Sequence, residues 1–332
     1  MSANIGKLVD RVYREYLEPN DDIQSFSILR GAMLADATDT TVEYESDYLT
    51  SEEEDLLEPG AVIEVNRELM LVTALNTSAE QLTVKRAFRG TTLAAHEVDD
   101  VMRLNPVFPR NTVFDAVCDQ IKNLYPTLFA TETKTVTSKV GYIPLSGTND
   151  NYLITPLKAI SQQTDFATGS DESGVIYRGV AVELIDLPNP FTYTDDDGVS
   201  QTITYTNNGP NKVNAVQVYN VTAGHTVYVT FKKKFVEPTS ESDTLSDIGL
   251  ETEYEPIIMA GVAAQMIAGR DIPSATVENI TQSMQTQSFP VNSASSIRNS
   301  LLSYQRVLIQ QARKDLRARF PEPVTINSIN YA

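Results

Sequence analysis

The chain has 332 residues, 41% of them apolar, enough to build two or three packed domains and too many for wholesale disorder. Lys and Arg number 26 against 44 Asp and Glu, a formal charge of −18. That balance excludes a general nucleic-acid coat, which needs local positive charge, and favours solubility and self-repulsion between copies.

One cysteine, Cys118, rules out an intrachain disulfide framework, and its setting in the apolar helical run FDAVCDQIKNLY reads as a small core residue rather than a reactive thiol. The first 17 residues scatter charges among apolar positions, so no signal peptide is expected. Apolar runs stay well short of about 18 residues, so no membrane span is expected either, and synthesis in the cytoplasm follows. Trp is absent while Tyr numbers 15 and Phe 11, which suits a β-rich chain.

In chain order, Ile5, Leu8, Val12 and Tyr16 recur at steps of three and four and predict an amphipathic helix to Leu17. Pro19-Asn20-Asp21-Asp22 ends it, and Phe26 to Leu29 reads as a short strand. Glu43, Glu45, Asp47, Glu52, Glu53, Glu54, Asp55 and Glu58 then follow with no basic residue among them. This run is a solvated loop or a helix start at Thr50-Ser51, or a patch for a basic partner. It lacks the glycine-containing spacing of a calcium loop.

Pro59-Gly60 opens the most informative stretch, 58–106. Val62 and Glu64, then Leu69, Leu71 and Thr73, alternate on either side of a tight connection at Asn66-Arg67. Leu82, Val84 and Arg86 alternate again, and Val101 to Leu104 completes the set. Short period-2 runs with brief turns predict an antiparallel meander, closed or half closed. Between the third and fourth runs lie Arg89-Gly90-Thr91-Thr92 and Ala94-Ala95-His96, with Gly90 suited to a turn of positive φ.

Val113, Phe114, Val117, Cys118, Ile121 and Leu124 give a helix from Arg110 to Tyr125, stopped by Pro126. From Thr131 to Glu237 the pattern is one of strands: 132–139, 142–145, 153–160, 175–178, 181–184, 202–205, 213–219 and 226–235. They predict an antiparallel β-sandwich of jelly-roll type, with turns at Asp197-Gly198 and Asn207-Asn208-Gly209-Pro210. Pro238 to Asp247 is an acidic linker. Glu255 to Arg270 is apolar on nearly every side, with Ala260, Gly261, Ala263, Ala264 and Ala268 allowing close helix approach. A Ser/Thr/Gln-rich stretch, 272–290, precedes the last helix, Asn292 to Phe320, on the order of 40 Å long. Ile297, Leu301, Tyr304, Leu308, Ala312 and Leu316 mark its apolar stripe, and Arg298, Arg306, Arg313, Lys314, Arg317 and Arg319 make its polar face basic. The tail alternates Val324, Ile326, Ile329 and Tyr331, an extended segment able to join a neighbour's sheet.

The fold class is therefore α+β. An N-terminal helix (1–25) precedes a small β meander or barrel module (26–105). The helices at 110–125, 255–270 and 292–320 need one another's apolar faces. They predict a discontinuous helical bundle domain, 106–130 plus 239–320, with the sandwich inserted at 131–238 and a docking tail at 321–332.

The chain offers little for catalysis. His96 and His225 are its two histidines, too few and too far apart for a triad or a multi-imidazole zinc site. Phosphate-loop, dinucleotide, nucleophile-elbow and metalloprotease motifs are absent. Asp195-Asp196-Asp197-Gly198 reads as an acidic hairpin tip, and Lys232-Lys233-Lys234 as protection of a strand edge. No catalytic, cofactor-binding or metal-binding residue is assigned.

The succession Pro59-Gly60-Ala61-Val62-Ile63, Glu68-Leu69-Met70-Leu71-Val72, Leu82-Thr83-Val84-Lys85-Arg86-Ala87-Phe88-Arg89-Gly90-Thr91 and Ala94-Ala95-His96 resembles a module of tailed-bacteriophage virion proteins. There a glutamate–hydrophobic strand precedes an Arg-Gly-Thr-x-x-x-x-His turn. The remaining layout resembles head-to-tail adaptor, or neck, proteins. The resemblance implies a non-enzymatic virion protein without cofactors, assembled in the host cytoplasm as a homo-oligomeric, twelvefold ring. Such a ring joins the portal protein to a downstream tail or neck protein and lines the channel through which genomic DNA passes without specific binding. Its portal-docking elements would be Arg306, Arg313, Lys314, Arg317 and Arg319 with the tail residues Val324, Ile326, Ile329 and Tyr331. Arg89, Gly90, Thr91 and His96 would fix a structural turn, so that Arg89→Ala costs folding or assembly. The competing reading is a tail or baseplate receptor-binding or fibre-attachment protein whose sandwich binds a glycan. A tail-associated hydrolase lacks an acid–base constellation.

Overall fold

A computed structural model describes residues 4–17, 26–138, 142–144, 153–165, 174–180, 182–188, 191–194, 200–203, 212–218, 225–268 and 294–320. The chain is α+β and divides into two compact units. The first comprises residues 1–121, 237–245 and 251–308, and the second 122–236, 246–250 and 309–332. The β module and the helices around it thus share one unit, and the chain leaves that unit after residue 121 and returns at 237.

In the first unit, strands β1 (Phe26–Ile28), β2 (Thr41–Glu43), β3 (Val62–Val65), β4 (Glu68–Asn76), β5 (Gln81–Lys85) and β6 (Val101–Leu104) form one antiparallel sheet, ordered β1-β6-β3-β4-β5-β2. Its two edges meet: Arg30 N donates to Glu43 O (2.9 Å) and Glu45 N to Ile28 O (3.1 Å), around a Leu29–Tyr44 bridge. The sheet is thereby closed on itself, which removes its free edges. Asn66, at φ 55°, makes the β3–β4 turn, a left-handed position that asparagine tolerates. The fourth run of the meander, β6, pairs not with β5 but back on β3, with Ile63 opposite Leu104 and Val65 opposite Met102.

The barrel interior holds Leu29, Met33, Val42, Tyr44, Leu57, Ile63, Val65, Met70, Val72, Leu82, Val84, Met102 and Leu104. In β5 these are the residues expected from alternation. In β3 and β4 the inward set is Ile63, Val65, Met70 and Val72, the opposite phase to the Val62, Glu64, Leu69, Leu71 and Thr73 series. The reason is that Glu64 and Leu69 are themselves buried, at 1% and 3% exposure, so these strands are covered on both faces and local alternation loses its meaning.

Helix α1 (Ile5–Val12) is capped by Asn4, whose Oδ1 accepts from Lys7 N at 2.9 Å, and it buries Ile5, Leu8, Val9 and Val12. It continues as a wider helical turn through Tyr13–Leu17, where the Tyr13 hydroxyl donates to Phe108 O at 2.7 Å. The acidic run carries a short helix, α2 (Ser51–Glu54), started by a capping box between Thr50 and Glu53. Helix α3 (Arg110–Leu124) buries the expected stripe, including Cys118, whose thiol burial pushes up to about 11, far from a reactive thiolate.

After the short α4 (Leu245–Ile248) comes α5 (Glu255–Ile267), buried on almost every side. It meets α3 and the last helix, α6 (Ala294–Arg319), at a knot of glutamine amides. Gln305 Nε2 donates to Gln120 Oε1 (2.9 Å) and to Ile257 O (3.1 Å), while Gln120 Nε2 donates to Gln265 Oε1 (3.2 Å). Gly261 makes room for the knot: a Cβ there would stand 2.1 Å from Gln120 Oε1 and 2.3 Å from Gln305 Nε2.

Among the described residues, the second unit forms a four-stranded antiparallel sheet, β10-β9-β15-β7, a three-stranded one, β11-β14-β8, and a hairpin, β12-β13. The strands are β7 (Ala130–Ser138), β8 (Tyr142–Pro144), β9 (Leu153–Asp165), β10 (Gly174–Val180), β11 (Val182–Pro188), β12 (Phe191–Thr194), β13 (Ser200–Ile203), β14 (Lys212–Val218) and β15 (His225–Lys233). The short β12 had no counterpart in the strand expectations. Register shifts in the β9–β15 pairing beside Pro156, which has no N–H to give the ladder. Lys232, Lys233 and Lys234 do not guard an edge, because β15 lies between β9 and β7. Lys232 Nζ instead sits 4.6 Å from the centre of the Phe129 ring, and Lys233 Nζ pairs with Glu132 Oε2 at 2.8 Å. The 195–198 acidic tip, the 207–210 turn, the 272–290 stretch and the 321–332 tail lie outside the described residues.

The glutamine knot yields a cycle of variants. Gly261→Ala should lower stability by roughly 1–2 kcal/mol in urea unfolding despite alanine's better helix propensity, because the amides lose their place. In a Gln120→Ala/Gln305→Ala background the same substitution should become neutral or stabilising.

Candidate functional site

The densest polar construction of the barrel starts at Glu68, the first residue of β4, placed there by the Asn66-Arg67 turn. Its side chain is fully buried and accepts five hydrogen bonds. Arg86 gives two, Nε to Oε1 (2.8 Å) and Nη2 to Oε2 (2.7 Å), a bidentate pair. Ala87 N reaches Oε1 at 3.0 Å, and Ala94 N and His96 Nε2 reach Oε2 at 3.1 and 2.9 Å. Arg86 spends its remaining donors on the carbonyls of Leu34, Asp39 and Ala94. His96, also fully buried, joins Met33 by a pair of backbone bonds of 2.8 and 2.9 Å.

These bonds hold the 87–100 connection in a conformation that local preference disfavours. Ala87 and Arg89 both have positive φ, at 51° and 54°, costly for residues with a Cβ. Gly90, at φ 79°, takes the same region freely. Thr91 Oγ1 accepts from Leu69 N (3.1 Å) and donates to Phe88 O (3.0 Å), tying the turn to β4. Arg89 differs from its neighbours: it is exposed, its guanidinium 5.4 Å from the Phe88 ring, and it fixes nothing. The arginine that anchors the turn is Arg86. The alternation of Leu82, Val84 and Arg86 already set it on the inward face, and a charge on an inward face demands a buried partner.

Beside this cluster lies a cavity of about 670 Å³, lined by Glu64, Arg67, Arg103, Arg110, Asn111 and Glu241 among others. Glu64 Oε1 accepts the Arg110 backbone N–H at 2.5 Å, so a barrel carboxylate caps the N-terminus of α3. Arg110 reaches outward to Asp10 of α1 (Nη1–Oδ1 2.8 Å) and to Glu241 (Nε–Oε1 2.9 Å, Nη2–Oε2 2.7 Å). Arg67 lies 3.6 Å above the Phe114 ring and bonds Asn111 Oδ1 at 3.2 Å. Glu64 and Arg110 thus bind the barrel, two helices and the returning 237–245 segment into one body.

Glu68 and His96 are as close as an acid–base pair, yet the carboxylate is saturated by donors and sealed from solvent. Among the described residues no group of three or more His, Cys, Asp or Glu is placed to hold a metal ion, and no helix is long and apolar enough to cross a membrane.

The predicted docking residues Arg306, Arg313, Lys314, Arg317 and Arg319 all stand exposed on α6, with Arg298. Val324, Ile326, Ile329 and Tyr331 lie outside the described residues. Neither a protein-family model nor a curated protein matches the chain.

Glu68 and Glu64 titrate in opposite senses. Burial by itself raises the Glu68 carboxyl, but the bonds from Arg86, His96, Ala87 and Ala94 outweigh it and hold the group well below the usual carboxylate range. Its stabilisation is present above the ordinary glutamate value of 4.5 and is lost as pH falls further. Burial pushes Glu64 up to about 7, against the N–H of Arg110 and the charges of Arg103 and Arg110. The folded chain therefore takes up this proton before the unfolded chain does, and stability rises as pH drops from about 7 to 4.5. Unfolding midpoints in urea should peak near about pH 5. Glu64→Gln should flatten the limb above the peak and add on the order of 3 kcal/mol at alkaline pH. At neutral pH, Glu68→Ala should cost roughly 3–5 kcal/mol by stranding buried Arg86. Arg89→Ala should stay within about 0.5 kcal/mol of wild type.

Proposed function

We propose that this chain is a structural protein of the tailed-bacteriophage virion. It forms a homo-oligomeric, twelvefold ring that connects the portal to the tail and lines the DNA channel. It performs no catalysis and needs no cofactor. The observation that carries the reading is the state of α6. This helix of 26 residues exposes a basic face in a chain of charge −18, and only Ile297, Leu301 and Leu316 of its described side chains are buried within the single chain. A helix so lightly covered is a surface for a partner, because most helical stability comes from packing. The resemblance of the 58–106 module to virion proteins supplies the setting.

In this reading the barrel and its helices make the body of the ring. The two antiparallel sheets of the second unit stack as an inserted jelly-roll-like sandwich that holds fibres or decoration. Excess carboxylates on the channel wall repel the DNA backbone, so the genome slides through without specific binding. The cations of the last helical turns, Lys314, Arg317 and Arg319, lead into the 321–332 tail, which docks on the portal protein. A downstream tail or neck protein closes the other face. The ring belongs to the virion neck and is assembled in the host cytoplasm.

Native mass measurement and class averages, made on the protein alone and with portal-bearing heads, test this directly. A ring is expected on heads, and a chain that stays monomeric under both conditions overturns the reading. Removing residues 321–332 should leave the ring intact and abolish its attachment to heads. Attachment that survives the deletion removes the tail from the docking role.

A further inference from the structure

We propose that one copy of the chain docks the stripe Arg298, Leu302, Arg306, Ile309 and Arg313 of α6 on the acidic segment 46–58 of the next copy. The inference rests on the ring reading above and names the seam of that ring.

The stripe is a matter of helical geometry. Its members follow one another at steps of four, four, three and four, so they share one line along α6, roughly 22 Å long. Arg298, Arg306 and Arg313 are exposed, and Leu302 and Ile309 between them are half-buried. Between residues 294 and 301 α6 packs within its own chain along a different line, through Ile297 and Leu301, while buried Leu316 ends the stripe one turn beyond Arg313. Guanidinium groups alternating with aliphatic side chains are the composition of an interface core and rim. Arginine also forks onto carboxylates better than lysine does.

The acidic segment has the complementary composition. Asp47, Glu52, Asp55 and Glu58 are exposed, and among the described residues none of them is in an ion pair. The capping box at Thr50 starts the helical turn that carries Glu52, and Asp55 follows three residues on, so both face the same way. Two large apolar side chains stand out among these carboxylates, Tyr48 at 52% exposure and Leu56 at 49%. The Tyr48 ring lies 6.2 Å from that of Phe26, itself 39% exposed, which widens the apolar ground. An acidic rim around an apolar centre is what an arginine–leucine stripe requires.

Net charge selects a second copy as the occupant. With 44 acidic against 26 basic residues, two copies repel one another over most orientations. Contact between the basic stripe of one and the acidic segment of the other reverses that sign locally. The two patches are different parts of the same chain, so the contact is heterologous and propagates head to tail, the arrangement that closes rings.

Charge reversal on each side tests the pairing. Arg306→Glu/Arg313→Glu and Glu52→Lys/Asp55→Lys should each weaken self-association by at least ~100-fold by placing like charges together. Both should keep the wild-type far-UV spectrum, since all four side chains are exposed. Mixed in equal amounts they should recover the oligomer, because each reversed patch then meets its complement. Oligomer mass by native spectrometry or sedimentation at about 50 mM salt reads the result without strong screening. Variants that still form the wild-type oligomer alone, or folded variants whose mixture does not restore it, overturn the seam and leave the ring reading standing. Rings of Arg306→Glu/Arg313→Glu that form normally but no longer attach to heads assign the stripe to a different protein and overturn it too. Wild-type protein that is monomeric both alone and on heads removes the ring reading and the seam together.

Discussion

The carboxylate of Glu68 is the constraint on which the barrel depends. A carboxylate removed from water is destabilising unless donors replace its hydration, and here five do so. Those donors come from the end of β5 and from the connection beyond it, so satisfying one buried charge also fixes the path of the chain from Arg86 to His96. That path crosses the end of β4 and delivers β6 to β3 rather than to β5. The positive φ of Ala87 and Arg89 is the conformational cost of the crossing, offset by the bonds that Ala87 N, Ala94 N and His96 make to Glu68. The course of the 86–96 connection, with its left-handed positions at Ala87 and Arg89, follows from this charge and its partners.

A second charged residue joins the barrel to the helices. Arg110 stands at the start of α3, gives its backbone N–H to Glu64 and its guanidinium to Asp10 and Glu241. The chain visits this point four times, in α1, in β3, at α3 and again after the β-rich insertion. Long-range ion pairs of this kind allow a large excursion between residues 121 and 237 without loss of the body it interrupts. The loop-closure cost of such an insertion grows only slowly with its length. The helix junction at Gly261 works on the same principle with neutral groups, glutamine amides filling the space a side chain would take.

What these interactions leave uncovered shapes the functional proposal. Buried charges in the first unit are paired, capped or stacked on rings. Two blocks of exposed charge stand out, carboxylates along 46–58 and guanidinium groups along α6. Such a pattern contributes little to the stability of a single chain, since isolated surface charges are strongly solvated. In the proposed ring it would act on association, where charge complementarity sets partner, register and rate.

The sequence by itself determined the local elements. Helical periodicity placed α1, α3, α5 and α6 to within a few residues. Short alternating runs between Gly, Pro and Asn turns located most strands, and composition marked α6 as the basic exception. Those signals depend on spacing along the chain and need no knowledge of distant contacts. Only the tertiary structure decided which face of β3 and β4 turns inward, because Glu64 and Leu69 are covered from outside by parts of the chain remote in sequence. It alone decided that Arg86, and not Arg89, anchors the turn. Two arginines three residues apart look alike in a string, and what separates them is a buried glutamate 18 residues before the first. Pairing of β6 with β3, closure of β1 on β2 and the meeting of four segments at Arg110 were likewise settled by long-range complementarity of charge and shape, which no local pattern encodes.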